Sequence, residues 1–151
     1  MKAVIAIDSL KGSLTSLEAG EAIKKGIMKV YKEAEVVIRP VADGGEGTAV
    51  ALTLGMNGKL EKVKVTGPLG KEVEVEYGIL EPSETHKVKT AIIEMSAAAG
   101  ITLVDEKDRN PLKTTTYGVG EMIKDAIVKG CRHFIVGIGG SATNAVSYTH
   151  L

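Results

Sequence analysis

Three carboxylates sit where short apolar runs give way to turns: Asp8 after Lys2–Ile7, then Asp43 and Glu46 after Glu35–Arg39. In an open α/β sheet, ligands bind beyond the carboxyl ends of the strands, so these positions can reach one. A carboxylate there can orient a hydroxyl or hold a cation. Mg²⁺ takes one or two protein carboxylates along with waters and phosphate oxygens, and the three acids suit such a site. A polyol or sugar-acid hydroxyl fits them equally well, and an Asx-type turn that only satisfies its own amides is the structural alternative for Asp8. Lys11 follows Asp8 by three residues and can take an anion, with a helix N-terminus behind it.

Two glycine-rich segments can cradle a phosphate. Gly44-Gly45-Glu46-Gly47-Thr48 and Gly137-Ile138-Gly139-Gly140-Ser141-Ala142-Thr143 each follow an apolar run. Backbone N–H groups at such turns bind phosphate, and the missing Cβ lets a ligand come close. The same glycines would also serve tight turns that bind nothing. The second segment satisfies G-x-G-x-x-A, the dinucleotide pattern, but its confirming acidic residue about 20 positions on falls beyond Leu151. Other candidates are weaker. Asn110, Lys113 and Thr114-Thr115-Thr116 read as capping groups before a helix. Glu94 is an ionisable group at the end of an apolar strand, just before Ser96. Cys131 has no activating neighbour, and His86, His133 and His150 lack metal-ligand spacing.

The elements that must position these residues form an α/β pattern. Lys2–Ile7 is a buried strand, and Thr15-Ser16-Leu17-Glu18 is a capping box. The helix behind it runs to about Lys32, with Ile23, Ile27, Val30, Tyr31 and Ala34 on one face. Glu35–Arg39 then closes a β-α-β unit with a parallel pair. A short helix stops near Gly55. Val63 and Val65, then Val73, Val75 and Tyr77, alternate with charge around Gly67-Pro68-Leu69-Gly70, which reads as a hairpin with one wet face. Lys89–Met95 is another buried strand. Val119, Met122, Ile123, Ala126 and Ile127 share a helix face ending at Gly130, and Phe134–Gly137 is the last strand. The change of texture places a boundary near residue 58. Residues 1–58 read as the first part of a Rossmann-like domain and residues 59–144 as part of a second α/β domain. Residues 145–151, too few to cover a sheet, read as a non-native tail on a truncated chain.

Composition narrows the function. Of 151 residues, 19 are Lys or Arg and 19 Asp or Glu, and this zero net charge lacks the basic footprint of a nucleic-acid binder. Aromatics at 3% give no stacking platform for single strands. No apolar run approaches the ~20 residues of a membrane span, and residues 1–7 are too short for a secretory leader. One cysteine, unable to form an internal disulfide, points to a cytoplasmic chain.

Four segments in register resemble the bacterial type-I glycerate kinases. They are Asp8-Ser9-Leu10-Lys11-Gly12-Ser13, Ala42-Asp43-Gly44-Gly45-Glu46-Gly47-Thr48, Asn110-Pro111-Leu112 with Tyr117-Gly118, and Gly139-Gly140-Ser141-Ala142-Thr143-Asn144. Val65-Thr66-Gly67-Pro68-Leu69-Gly70 is also similar. Leu10 stands where the family usually has Phe, and Ala145–Leu151 departs from the family's continuation. The resemblance implies ATP- and Mg²⁺-dependent phosphorylation of D-glycerate by a Rossmann-like domain carrying an inserted second α/β domain, with the site in the cleft between them. This chain would be the N-terminal part, inactive alone.

Phosphoryl transfer needs positioning and charge stabilisation more than covalent help. On that reading Asp8 or Asp43 orients the hydroxyl or holds Mg²⁺, and Lys11 and Ser13 bind the glycerate carboxylate or a phosphate. Gly139, Gly140, Ser141 and Thr143 cradle a phosphate, with Gly44, Gly45, Glu46 and Asn144 as further binding positions. The alternatives are a fragment of a dinucleotide-binding oxidoreductase and a non-catalytic α/β metabolite-binding module.

Overall fold

The computed structural model describes residues 1–10, 13–84 and 87–144. The capping box is present: Glu18 N donates to Thr15 Oγ1 at 3.2 Å and Thr15 N donates to Glu18 Oε2 at 2.9 Å. It starts α1 (Ser16–Val30), which carries the chain back so that β1 (Lys2–Ile7) and β2 (Glu35–Pro40) pair in parallel, Ile5 opposite Ile38. A Cβ on Gly20 would lie 2.6 Å from Ile38 Cγ2, so α1 rests on β2 through its buried Ala19 and Gly20.

The apolar face anticipated for α1 is not the covered one. Val30 is 74% exposed and Ile23 41%; Tyr31 and Ala34 lie past the last helical residue and cannot share its face. Small residues, not large ones, let the helix approach the strand. β1 is also less buried than its composition suggests, with Ile5 inside but Val4 63% exposed. Among the described residues β1 has β2 as its one strand partner, so much of it faces outward.

The second sheet holds most of the core. β3 (Lys59–Thr66) and β4 (Glu72–Leu80) form the expected antiparallel hairpin, Val63 opposite Val75 and Val65 opposite Val73. Alternation puts Val65, Val75 and Tyr77 inside, while Lys62 pairs with Glu74 and Glu76, and Lys64 with Glu72, on the wet face. β5 (Thr90–Glu94) is buried at every residue, antiparallel to β4 and parallel to β6 (His133–Gly137), in the order β3-β4-β5-β6. Adjacent strand residues point to opposite faces. Thus Ala91 and Ile93 pack with Val119, Met122 and Ala126 of α4 (Tyr117–Val128), whereas Ile92 packs with Ala49 of α2 (Thr48–Gly55) and with Leu80. The sheet is sandwiched between α4 and α2, the mixed α/β architecture with parallel strand pairs anticipated above. A short helix, α3 (Met95–Ala99), follows β5 directly.

A polar network closes the α4 side. Tyr77 Oη donates to Asp125 Oδ2 at 2.7 Å, and Lys129 bridges Asp125 at 2.9 Å and Glu61 at 3.2 Å with its ammonium 5.5 Å from the Tyr77 ring. Burial pushes the Asp125 carboxyl up, but the Tyr77 hydroxyl and Lys129 together outweigh it and hold it below the ordinary aspartate value. Cys131 is fully buried and burial raises its thiol pKa, which suits an inert core residue.

On the α2 side, Thr53 is fully buried against Gly78, where any Cβ would overlap its hydroxyl. Among the described residues Thr53 Oγ1 has no hydrogen-bond partner. Valine keeps the branched shape without the orphaned hydroxyl. Thr53→Val is therefore expected to stabilise the chain by about 1 kcal/mol, read as a higher urea midpoint at unchanged slope.

Candidate functional site

Four strand ends meet at one place. Asp8 follows β1 and is half-buried; Ser9 N, the very next amide, donates to its Oδ1 at 2.7 Å, one residue short of the Asx-type turn anticipated as its structural role. After β2, Gly45 N donates to Asp43 Oδ1 at 3.0 Å, and Gly44 N to Thr48 Oγ1 at 3.1 Å. Gly44 and Gly47 take φ of +95° and +89°, the left-handed region that glycine tolerates. Each aspartate spends one carboxylate oxygen on its own turn, and a carboxylate has two.

The two glycine-rich turns pack on each other. Gly139 N donates to Gly44 O at 2.8 Å. A Cβ on Gly137 would lie 2.7 Å from Gly44 O, and one on Gly139 would lie 2.8 Å from Gly45 Cα. The glycines after β6 thus serve backbone-to-backbone contact with the Asp43–Gly47 turn, and the Gly139 amide is already committed there. The segment after β5 completes the ring: Ile101 N donates to Gly140 O at 2.9 Å and Ala142 N to Ala99 O at 2.8 Å.

Between these turns lies a cavity of about 340 Å³. It brings together Asp8, Asp43, Gly45, Glu46, Gly139 and Gly140 of the anticipated residues. Ser9, Ser96, Ile101 and Thr102 line it as well and were not singled out as site residues. The signal for the last three was available, since they follow the buried strand β5 as the other site residues follow theirs. A neighbouring cavity of about 330 Å³ shares Ser9 and Glu46 and is walled by Leu10, Leu14, Leu17, Val50 and Ser13. Ser13 therefore faces this second, more apolar space. Gly44 joins the site through its carbonyl contact with Gly139.

The other anticipated residues stand apart. Ser141 and Thr143 form a local turn, Thr143 N donating to Ser141 Oγ at 3.0 Å with the two hydroxyls 2.8 Å apart. Asn144 is exposed. Lys11, Gly12, His86 and residues 145–151 lie outside the described residues. Nor do the threonines before α4 act as one cap. Thr116, the N-cap residue, makes no side-chain cap; Thr115 Oγ1 accepts from Tyr117 N at 3.1 Å, and Thr114 donates to Ala142 O at 2.9 Å. The last contact ties this segment to the Gly139–Thr143 turn.

Glu94 sits beneath the site, 7% exposed. Its Oε1 accepts from Ala49 N at 2.5 Å, and Ser96 Oγ lies 3.5 Å from Oε2. Burial, the strongest influence, pushes its carboxyl above the ordinary value. The Ala49 and Gly47 amides and the Ser96 hydroxyl pull it down, and nearby Glu46 adds to the rise.

The sequence and the fold match those of known proteins. The family whose sequence profile fits this chain is the glycerate kinase family, over residues 3–148. The chain belongs to that family. It is 51% identical over 144 residues to a glycerate kinase of Haemophilus influenzae, covering 95% of this chain and 37% of that protein. It is 47% identical over 144 residues to the glycerate 2-kinase of Escherichia coli K12, covering 95% of this chain and 36% of the relative. A crystal structure described as glycerate kinase 2 from Salmonella typhimurium LT2 superposes with a TM-score of 0.71 at 46% identity, covering 95% of this chain and 37% of that one. The chain thus spans a little over a third of the length of these glycerate kinases. Among the described residues no helix is long and apolar enough to cross a membrane.

Three substitutions have expected outcomes. Gly139→Ala forces the two turns apart and is expected to cost about 1–3 kcal/mol of stability. Gly120→Ala, in α4 with nothing within 4 Å of a new Cβ, is expected to gain roughly 0.5–1 kcal/mol in the same denaturation series. The third concerns Glu94. Its folded-state pKa exceeds the ordinary value of 4.5, so the folded chain holds the proton more tightly than the unfolded one. Its contribution is most favourable where it is protonated and declines as pH rises from that ordinary value through the folded one. Glu94→Gln removes this component, so denaturation from about pH 4 to about pH 7 should show a shallower loss of stability in the variant.

Proposed function

We propose that this chain is the N-terminal portion of a kinase that moves the γ-phosphoryl group of ATP onto a hydroxyl of D-glycerate. The observation that carries the reading is the convergence of Asp8 and Asp43 on one cavity beside two interlocked glycine-rich turns. The names of the relatives point the same way. The chain's remaining partner in the fold is proposed to be the rest of a two-domain enzyme, with residues 59–144 belonging to an inserted second α/β domain.

The residues suit Mg²⁺. Asp8 and Asp43 are hard oxygen donors on one cavity wall. Among the described residues no three acidic, histidine or cysteine side chains converge to cage an ion by themselves. One or two carboxylates with phosphate and water oxygens is the way Mg²⁺ is commonly held. When bound, Mg²⁺ would neutralise charge on the nucleotide phosphates. The cavity has room for a three-carbon acid and a phosphoryl group. One aspartate orients the attacking hydroxyl while the other carries the metal's share of the site, and both are held still by the turn amides of Ser9 and Gly45. Ser96 and Thr102 supply hydroxyls for the acid's polar groups, and Lys11 is the proposed cation for its carboxylate or for a phosphate. Gly139 and Gly140 present a wall without side chains, which admits the phosphoryl group closely even though the Gly139 amide is spent on Gly44.

The test is made on the complete polypeptide that carries this sequence. Wild type is expected to turn over ATP only with D-glycerate and Mg²⁺ present, with the product resolved as 2- or 3-phosphoglycerate. Asp8→Ala and Asp43→Ala should each lower kcat by about 100-fold or more. Turnover within a few-fold of wild type in either variant removes that aspartate from the chemistry.

A further inference from the structure

Beyond the residues that line the cavity, one buried group controls where they stand. α2 begins at Gly47, a left-handed glycine with no side chain to cap the first-turn amides of the helix. Those amides must be satisfied, since a buried unpaired N–H costs as much as a lost hydrogen bond. The acceptor comes from 45 residues away: Glu94, at the carboxyl end of β5, takes the Ala49 amide at 2.5 Å. The Gly47 amide also bears on the same carboxylate.

The carboxylate therefore touches the helix that starts directly after Asp43-Gly44-Gly45-Glu46. On its other side it meets Ser96, which lines the catalytic cavity and packs against Gly140, whose Cβ position lies 3.3 Å from Ser96 Cβ. Three segments of the site thus share one buried anchor: the acidic turn before α2, the start of α3, and the glycine turn after β6. A carboxylate is a costly group to bury when an apolar side chain would pack as well. Its placement is explained by the Ala49 amide and the Ser96 hydroxyl, which it holds in register.

We propose that Glu94 is the positioning residue of this site, its carboxylate setting the Asp43–Glu46 turn against the Ser96 and Gly139–Gly140 walls. The proposal rests on the kinase reading for its effect on turnover, but not for its effect on structure. Glu94 does not reach the cavity itself and acts through Asp43 and Glu46.

Two measurements on the complete polypeptide separate these. Amide hydrogen exchange of Glu94→Ala and Glu94→Gln, against wild type, reads the positioning directly. Exchange at residues 43–49 should speed up by roughly tenfold or more in Glu94→Ala, the loss of a buried hydrogen bond to the first turn of α2, while β4 and β5 amides keep their protection. Glu94→Gln, which keeps an acceptor for Ala49 and the side-chain volume, should fall between. If Glu94→Ala does not fold, the Glu94→Gln profile decides alone. Unchanged exchange at residues 43–49, or acceleration spread evenly over the chain, overturns the proposal. In the assay with ATP, Mg²⁺ and D-glycerate, Glu94→Ala should lower kcat by about 10- to 100-fold and leave the glycerate KM within a few-fold, as a displaced Asp43 would. An active wild type with kcat unchanged in the variant also overturns it. A wild type that turns nothing over sinks the kinase reading, and the exchange profile then judges Glu94 by itself.

Discussion

The contact between Gly44 and Gly139 is the constraint from which the rest of the site follows. A backbone carbonyl in the turn after β2 meets a backbone amide in the turn after β6 at 2.8 Å. These turns end strands of two different sheets. Side chains on Gly137 or Gly139 would collide with the opposing backbone, so the approach is available to glycine alone. Because the two backbones touch, the carboxylates beside one turn and the open wall of the other face a common space. If they stood a side chain's width further apart, the cavity would become a broad cleft. Asp43 would then share no wall with Gly140.

Close backbone contact has an energetic consequence that the surrounding residues answer. Turns rich in glycine lose much conformational entropy on folding and bury little apolar surface in return. Their order must come from directional bonds. Ser9 N to Asp8, Gly45 N to Asp43, and Ile101 N to Gly140 O are bonds within the cavity wall, and Gly44 N to Thr48 ties the turn beside it to α2. The aspartates accordingly have a structural duty as well as any chemical one, and at Asp43, whose Oδ1 takes the amide two residues on, the Asx turn leaves the second oxygen for a ligand.

Regular elements were legible wherever pattern and punctuation agreed. The Thr15–Glu18 box, the Val63–Tyr77 alternation around Gly67–Gly70, and the uninterrupted apolar run of β5 each carry a local cause, and each appears as expected. The covered face of α1 was illegible because packing there is decided by absence. Gly20 admits Ile38, and a count of large apolar residues does not register a glycine. The strand-end rule located Asp8, Asp43 and Gly139 at one cavity, since it depends on topology that β-α-β spacing reveals. It did not separate Ser13 into the neighbouring space or show that the Gly139 amide is spent. Both depend on how two distant turns meet, and no local pattern encodes that. Membership of the glycerate kinase family was legible from four short segments because their order along the chain, more than any single one, is improbable by chance.

Stability and chemistry occupy different parts of this chain, and the division has a physical basis. The large buried side chains, Tyr77, Ile93 and Met122 among them, gather under α4, where Asp125 and Lys129 close a polar network with Tyr77. The cavity lies past the carboxyl end of β5, where the strand changes from Ile93 to Glu94 in a single step. A strand buried along its whole length can hold its terminal carboxylate rigidly, since four residues of close packing precede it. Loops alone could not, having neither apolar contacts nor a sheet ladder behind them. The apolar core therefore acts on the site through β5. It delivers one acceptor at a fixed height, and the glycine-rich turns, which have little stability of their own, arrange themselves around it.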